Sequence, residues 1–230
     1  MRSAAFRLKG KFYLLGLGVL GLSFASVGEC VALSAPGIDV RSLATGKYET
    51  LKTRVIGNDL SIDWAEFRNV AVQAGLDGYD WHPARERILK SLDEGNLPVA
   101  LSGAQTVIAH NMANPEGHLL AMTVYQQMGM EQSADRERSI VDALVKSIMT
   151  SGDGSTEQKA WSTVSRSEEE FVVNMVLDAD TESQATVLAD GRAYDRRTVR
   201  MEDGGEHVLW FKSTPESHTT TVASVVLPAR

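Results

Sequence analysis

The chain has 230 residues and a net charge of −7, and 43% of its residues are hydrophobic. This composition is that of a globular protein and excludes a disordered or fibrous chain, while the excess of acidic residues argues against a nucleic acid or an anionic membrane as the partner. A single cysteine excludes an internal disulfide framework and a cysteine-based zinc site.

Residues 1–32 have the pattern of an export signal peptide. Four basic residues precede an apolar run from Phe12 to Ala25, and small residues follow it. The uncharged stretch from Phe12 to Gly28 is at the short limit for a membrane-spanning helix, so we expect cleavage after Gly28 or Ala32 and no stable membrane insertion afterwards. The remaining chain loses four basic residues and one acidic residue, which gives a net charge of −10, and is expected in the periplasm or outside the cell. Cys30 leaves a lipoprotein as an alternative, which Glu29 disfavours because such signals have a small residue there.

Helix start and stop signals organise residues 61–150, whereas residues 33–60 are predicted to be a linker with one weak helix near residues 48–55. Asp63 and Glu66 form a capping box, Gly75 ends that helix, and further helices are predicted to begin near residues 83, 97, 115 and 133. The offsets between alternate starts are 34, 32 and 36 residues, close to the 34-residue period of tetratricopeptide repeats. We expect stacked helical hairpins, with an irregular helical bundle as the alternative.

Residues 151–213 change to the two-residue period of β-strands. Asp190-Gly191 and Asp203-Gly204 are typical hairpin turns. The predicted strands cover residues 160–164, 171–177, 184–189, 192–201 and 206–212, and Glu168, Glu169 and Glu170 are interpreted as an exposed charge run that opens the second of them. The predicted fold class is therefore α+β, with N-terminal tetratricopeptide-like helical hairpins packed on a C-terminal antiparallel β meander and a tail at residues 214–230.

A series of short motifs between residues 61 and 212 carries a resemblance to a known family. In chain order they are Tyr79-Asp80, Asn114-Pro115 with His118, Met128-Gly129, Lys146-Ser147-Ile148, Ser151-Gly152-Asp153-Gly154, Ala160-Trp161, Glu168-Glu169, Gln184, Asp190-Gly191, Tyr194-Asp195 and Trp210-Phe211. With these motifs the chain resembles an uncharacterised family of exported bacterial proteins, a domain of unknown function. Its members have tetratricopeptide-like helices followed by an SGDG loop and a small β module. The resemblance implies that architecture and no activity.

The candidate site residues lie where the predicted helices meet the predicted strands. The SGDG loop, residues 151–154, suits a helix stop followed by a turn, or an anion-binding nest of backbone amides. The candidate ligand- or partner-binding residues are Ser151, Asp153, Glu168 and Tyr194.

No catalytic residue, metal or cofactor is expected. The chain has no G-x-S-x-G motif, and the exported part has no cysteine nucleophile. The histidines form no H-E-x-x-H pattern, and the acidic run that begins at Asp178 lacks the glycine and the glutamate of a calcium loop.

Two functions remain, and the sequence favours the first. One is an exported, non-catalytic protein-protein interaction or scaffold module, in which a groove along the helices binds a protein or peptide. Its expected polar lining is Gln105, Asn111, Gln126 and Gln127. The alternative is a small periplasmic hydrolase or ligand-binding protein with its site at the helix/β junction.

Overall fold

The computed structural model describes residues 39–78, 80–189 and 191–213, together with the backbone of residues 225–226. The predicted export signal, its cleavage sites, Cys30 and most of the predicted tail lie outside these residues. The helices are α1 Val40–Ile56, α2 Trp64–Gln73, α3 His82–Asp93, α4 Leu97–His110, α5 Pro115–Gln127, α6 Glu131–Met149 and α7 Arg166–Phe171, which continues as a π-helical turn over Val172–Val176. The strands are β1 Trp161–Thr163, β2 Asp180–Ala189, β3 Arg192–Arg200, β4 Glu206–Ser213 and β5 Val225–Val226.

The predicted helix boundaries rest on caps that the structure contains. The Asp63 carboxylate accepts a hydrogen bond from the backbone N–H of Glu66 at 2.9 Å, so α2 starts where the capping box predicts. The Asn114 side chain accepts from two backbone N–H groups in the first turn of α5, and Pro115 begins that helix without an N–H to satisfy. Gly129 follows the end of α5 with a φ of 69°, the left-handed conformation that glycine adopts without strain.

Helix α1 is longer than the weak helix predicted near residues 48–55. It begins at Val40, and its buried face packs Tyr48, Leu51 and Val55 into a cluster with residues of α2 and α6. The Tyr48 ring stacks on that of Phe67 with the ring centroids 5.2 Å apart. Gly46 lies on the exposed side of the helix, where a β-carbon would have no neighbour within 4 Å, and the helix continues through it because the residues of the opposite face are packed.

The helices form pairs, as the spacing of their starts predicts. α3 packs on α4, α4 on α5 and α5 on α6, so these four follow one another in space as they do in the chain. The pair of α1 and α2 packs through α2 on α6. In the described parts of the chain, no helix is both long enough and apolar enough to cross a membrane.

The C-terminal region is a mixed, largely antiparallel sheet. β2, β3 and β4 form the predicted antiparallel meander, and the order across the sheet is β1-β4-β3-β2-β5. β1 pairs with β4, and β5 with β2, in the parallel direction. One core cluster contains Ile148 from the end of α6, Trp161 and Phe211 from the sheet, and Val172 from the π-helical turn. The predicted α+β architecture of helix pairs followed by this sheet is confirmed.

The predicted strand at residues 171–177 is wrong, because these residues continue α7. Ser165 caps α7 by accepting a hydrogen bond from the N–H of Glu168, and acidic side chains in a first turn favour a helix. Val172 and Val173 are fully buried although they are neighbours in the chain, because the turn lies between the helices and the sheet. Phe171, Val172 and Val173 are all buried, and such a short apolar run has no periodicity that separates a strand from a helix.

Candidate functional site at the junction of helices and sheet

Helix α7 lies between the helix pairs and the sheet, and two buried ion pairs hold it in opposite directions. Glu168 accepts from the Arg68 guanidinium of α2 at 2.6 Å, and Glu169 accepts from Arg197 of β3 at 3.0 Å. The four side chains are at most 5% exposed. Consecutive residues of a helix point about 100° apart, so one short helix can be joined to both halves of the molecule. The prediction that these glutamates are an exposed charge run is therefore wrong.

Arg68 joins elements that are far apart in the sequence. Its Nε donates to the hydroxyl of Ser147 on α6 at 2.9 Å. Both terminal nitrogens lie 3.4 Å from the carbonyl oxygen of Ser162 on β1, and one of them also donates to Glu168. A guanidinium group can satisfy partners on several sides at once because its donors lie in a rigid plane. This network fixes the position of Glu168 against the helix pairs.

The carboxylate of Glu168 is only partly satisfied. Its Oε2 accepts from Arg68 and from the backbone N–H of Val164 at 2.9 Å, whereas its buried Oε1 has no hydrogen-bond partner among the described residues. Burial raises the pKa of Glu168 above its ordinary value, and Arg68 opposes this shift. A buried oxygen atom without a partner is destabilising, so this atom marks a place where a hydrogen-bond donor would be favourable.

Glu168 lines a cleft between the helix pairs and α7. The cleft has a volume of about 620 Å³ when the space open to solvent is included. Trp81, Val107 and Phe171 contribute apolar surface, and Asn111 contributes polar surface. The site is thus formed by both the helical region and the segment that leads into the sheet.

Glu116 is a second carboxylate of this cleft. It lies in the first turn of α5, and its Oε1 accepts from the Nε of Arg85 at 2.5 Å. Burial raises the pKa of Glu116, while the bond to Arg85 acts in the opposite direction. An adjoining cleft of about 480 Å³ shares Trp81, Glu116, Ser167 and Phe171 with the first and adds His82, Arg85 and Glu170.

The two adjoining clefts are acidic. Their lining includes four carboxylates but only two guanidinium groups, and both guanidinium groups already bond a carboxylate. These four carboxylates belong to Asp77, Glu116, Glu168 and Glu170. Within the described ranges, no three His, Cys, Asp or Glu side chains are placed to hold a metal ion. The chemistry that the site offers is therefore the acceptance of hydrogen bonds by carboxylates beside an apolar wall.

The structure does not bring the four predicted site residues together, since Glu168 alone of the four lines the cleft. The Ser151 hydroxyl donates to the carbonyl of Ile148 and accepts from the N–H of Ser162. Asp153 is exposed and bonds Ser155, which lowers the pKa of Asp153. Tyr194 packs edge-on against Trp210 in the sheet, with the ring centroids 6.5 Å apart.

The SGDG loop has a structural explanation at each position. The N–H groups of Asp153 and Gly154 both donate to the carbonyl of Lys159, at 3.0 and 2.9 Å, so these amides are already used within the loop rather than held ready for an anion. Gly154 has a φ of 70°, and a β-carbon there would lie 2.7 Å from the ring of Trp161. The loop therefore ends α6 and lets Trp161 pack closely.

Of the expected polar groove residues, Asn111 is the one that lines the cleft. Gln105 is on the exposed side of α4, where it donates to the hydroxyl of Tyr125. The sequence analysis did not identify Arg68. A signal for it exists, since Arg68 lies one helical turn after Trp64 and one turn before Ala71, on a face of α2 that is otherwise apolar.

His118 is buried near the start of α5. Its Nε2 donates to the carbonyl of Met112 at 2.9 Å, and its Nδ1 lies 2.5 Å from a carboxylate oxygen of Glu137 on α6. Arg136 bonds the other oxygen of Glu137 and the carbonyl of Val55. This network joins α1, α5 and α6 and does not include a cleft-lining residue.

No protein family, curated protein or solved structure gives a significant match to this chain.

Proposed function

We propose that the protein is an exported, non-catalytic interaction module whose cleft between the helix pairs and α7 binds a segment of a partner protein. The observation that carries this proposal is the cleft itself, which combines an apolar wall with partly exposed polar groups at the meeting point of both halves of the chain. A concave apolar surface with a few convergent polar groups is the usual form of a binding pocket. Water-sized spheres can occupy about 50 Å³ of this cleft, which suits the end of one side chain of an extended segment.

The surroundings of the cleft support recognition without a large rearrangement. The Arg68–Glu168 and Arg197–Glu169 pairs fix α7 on both sides, so the wall that α7 provides is formed before a partner arrives. A preorganised site loses less conformational entropy on binding. We therefore propose that the groove expected along the helices lies at the helix/sheet junction, where Asn111 is part of it.

Export and family membership belong to the same proposal. The basic and apolar pattern of residues 1–32 supports an export signal, and the motif order supports the tetratricopeptide-like family named above. Cell fractionation, with mass spectrometry of the N-terminus, tests export: a mature chain that begins after Gly28 or Ala32 in the periplasm is expected. A full-length cytoplasmic protein would contradict it, and a lipid on Cys30 would establish the lipoprotein alternative.

Site-specific photocrosslinking in cells tests the proposed binding surface. A photoreactive amino acid replaces Ser167, which lines both clefts, and in the control replaces Gln127, an exposed residue at the end of α5 that lines neither. The full chain with its own signal is expressed. We expect a discrete crosslinked product from position 167 and none from position 127.

The captured protein must then bind as a purified pair. Ser167→Trp, which fills the cleft, is expected to abolish binding, whereas Ser102→Trp on the exposed side of α4 is expected to preserve it. Equal crosslinking at positions 167 and 127, or equal binding by both tryptophan variants, would refute the proposal.

A hydrolase or small-ligand site is the second candidate, and one observation favours it. Glu116 and Glu168 line the same cleft, and burial raises the pKa of each, as is typical of carboxyl groups that act as general acids. Turnover of a peptide or glycoside substrate that Glu116→Gln abolishes would replace the interaction proposal with this one.

A further inference from the structure

The chemistry of the cleft restricts what the partner segment can carry. The carboxylates of Asp77, Glu116, Glu168 and Glu170 exceed the two lining guanidinium groups in number. Arg68 already bonds Glu168, Ser147 and Ser162, and Arg85 bonds Glu116. Arg166 lies outside the cleft lining but pairs with Glu170 at 3.5 Å, so the net excess is one carboxylate. An anionic ligand would have to displace these bonds, whereas a cation would be attracted by that excess.

A second observation points to a hydrogen-bond donor. Glu168 is 4% exposed and lines the cleft, and its Oε1 accepts no hydrogen bond from the described residues. Arg68 and the N–H of Val164 hold the other oxygen, so the carboxylate cannot turn away without losing both bonds. This oxygen has almost no accessible surface, so a donor from the cleft reaches it when the side chains around it shift slightly. A charged donor would then form the stronger bond.

We propose that the cleft receives the ammonium or guanidinium group of a basic side chain in the partner segment, with Glu168 Oε1 and the carboxylate of Glu116 as its acceptors. This inference rests on the proposed function, because it names the chemistry of the segment that the cleft binds. The aliphatic stem of a lysine or arginine matches the apolar wall of Trp81 and Phe171, while its charged end reaches the carboxylates.

Titration of the purified protein with short capped peptides tests the proposal, with two-dimensional amide NMR as the readout. The probes are acetyl-Gly-Lys-Gly-amide and its arginine, norleucine and glutamate counterparts. We expect the lysine and arginine peptides to shift the signals of residues 165–171 and to bind less tightly at high salt. The norleucine and glutamate peptides are expected to leave these signals in place.

Variants identify the acceptors. Glu116→Gln is expected to weaken binding of the lysine peptide by about tenfold, since bonds to charged groups are stronger than those to neutral ones. The matched control Glu131→Gln alters an exposed glutamate at the start of α6 and is expected to leave affinity unchanged. If the amide spectrum of Glu168→Gln shows a folded protein, its affinity for the lysine peptide is measured as well. If it does not, Glu116→Gln alone decides the test.

Equal binding of the norleucine and lysine peptides, or native affinity in Glu116→Gln, would overturn the assignment of a basic side chain. An n-butylammonium ion that binds as tightly as the lysine peptide would overturn the choice of a peptide as the source of the cation. The two proposals fail separately. Specific crosslinking at position 167 without lysine-peptide binding removes only the chemical assignment, whereas lysine-peptide binding without any crosslinked partner removes only the proposed function.

Discussion

Breaking the ion pair between Glu169 and Arg197 is expected to destabilise the protein far more than breaking a neighbouring pair on the same helix. Two guanidinium nitrogens of Arg197 lie 3.1 and 3.0 Å from one oxygen of Glu169, and the two side chains are 0% and 2% exposed. Glu169→Gln leaves the positive charge of Arg197 buried opposite a neutral amide. Removal of one partner of a buried pair costs about 3 to 5 kcal/mol. That is a large share of the roughly 5 to 15 kcal/mol that stabilises a typical domain.

Helix α7 supplies its own control. Arg166 and Glu170 form an ion pair at 3.5 Å with side chains 65% and 39% exposed, and an exposed pair of this spacing contributes about 0.3 to 0.5 kcal/mol. Arg166→Gln is therefore expected to change the free energy of unfolding very little. Both variants keep the length and helical tendency of α7 nearly unchanged. Arg166→Gln also removes an exposed bond to the side chain of Gln184 on β2, so the comparison sets a buried ion pair against exposed contacts.

Urea denaturation followed by circular dichroism measures these differences, and a double-mutant cycle separates the pair from the rest of the site. Arg197→Met is expected to cost as much as Glu169→Gln, because it leaves the carboxylate without its guanidinium partner. The double variant is expected to cost clearly less than the two single costs together, since no buried charge is left unpaired. A cost for Glu169→Gln within about 1 kcal/mol of that for Arg166→Gln would refute the reasoning.

Two further predictions concern the helical core and the SGDG loop. Burial raises the pKa of Tyr48 to about 12, so the unfolded chain releases this proton from about pH 10 while the folded chain retains it. The free energy of unfolding is then expected to fall by about 2 kcal/mol between pH 10 and pH 12, and urea titrations of Tyr48→Phe should lack that component. A β-carbon at Gly152 would lie 2.2 Å from the carbonyl oxygen of Lys159, whereas one at Gly46 on α1 would meet open space at an ordinary helical φ. Gly152→Ala is therefore expected to lower the thermal midpoint in calorimetry while Gly46→Ala does not, and equal losses would contradict the steric explanation.

Local hydrogen bonds explain why much of the helical region could be predicted. Asp63 and Asn114 set the starts of α2 and α5 through bonds to backbone groups two or three residues away, and such bonds are visible in a short stretch of sequence. The early part of α1 was missed because its contacts are with residues distant in the chain, such as the bond from the Arg41 Nε to the carbonyl of Ala74 at 3.2 Å. Weak amphipathic segments depend on packing of this kind.

The cleft could be predicted only in part, for the same physical reason. Glu168 was recognised as a candidate, but its partner Arg68 lies 100 residues earlier in the chain. No local pattern shows that α2 and α7 meet. Ser151 and Asp153 were attractive as site residues because turns at the ends of helices resemble binding loops in composition, and their hydrogen bonds within the turn become visible only with the coordinates.

The incorrect prediction of a strand at residues 171–177 made Glu168 and Glu169 look exposed. It did not change the expectation that their side chains point in different directions. Consecutive side chains point to opposite faces in a strand and about 100° apart in a helix, so either interpretation sends Glu168 and Glu169 to different neighbours. What the strand interpretation lacked was a reason for both to be buried. Arg68 and Arg197 supply that reason, because each lies on a face with buried apolar residues, Ala71 in the first case and Val199 in the second. Since a buried arginine requires an acceptor, two such arginines and two adjacent glutamates together indicate an element held between two layers. The bond from the N–H of Glu168 to the Ser165 hydroxyl makes this element a helix, and that helix forms one wall of the cleft.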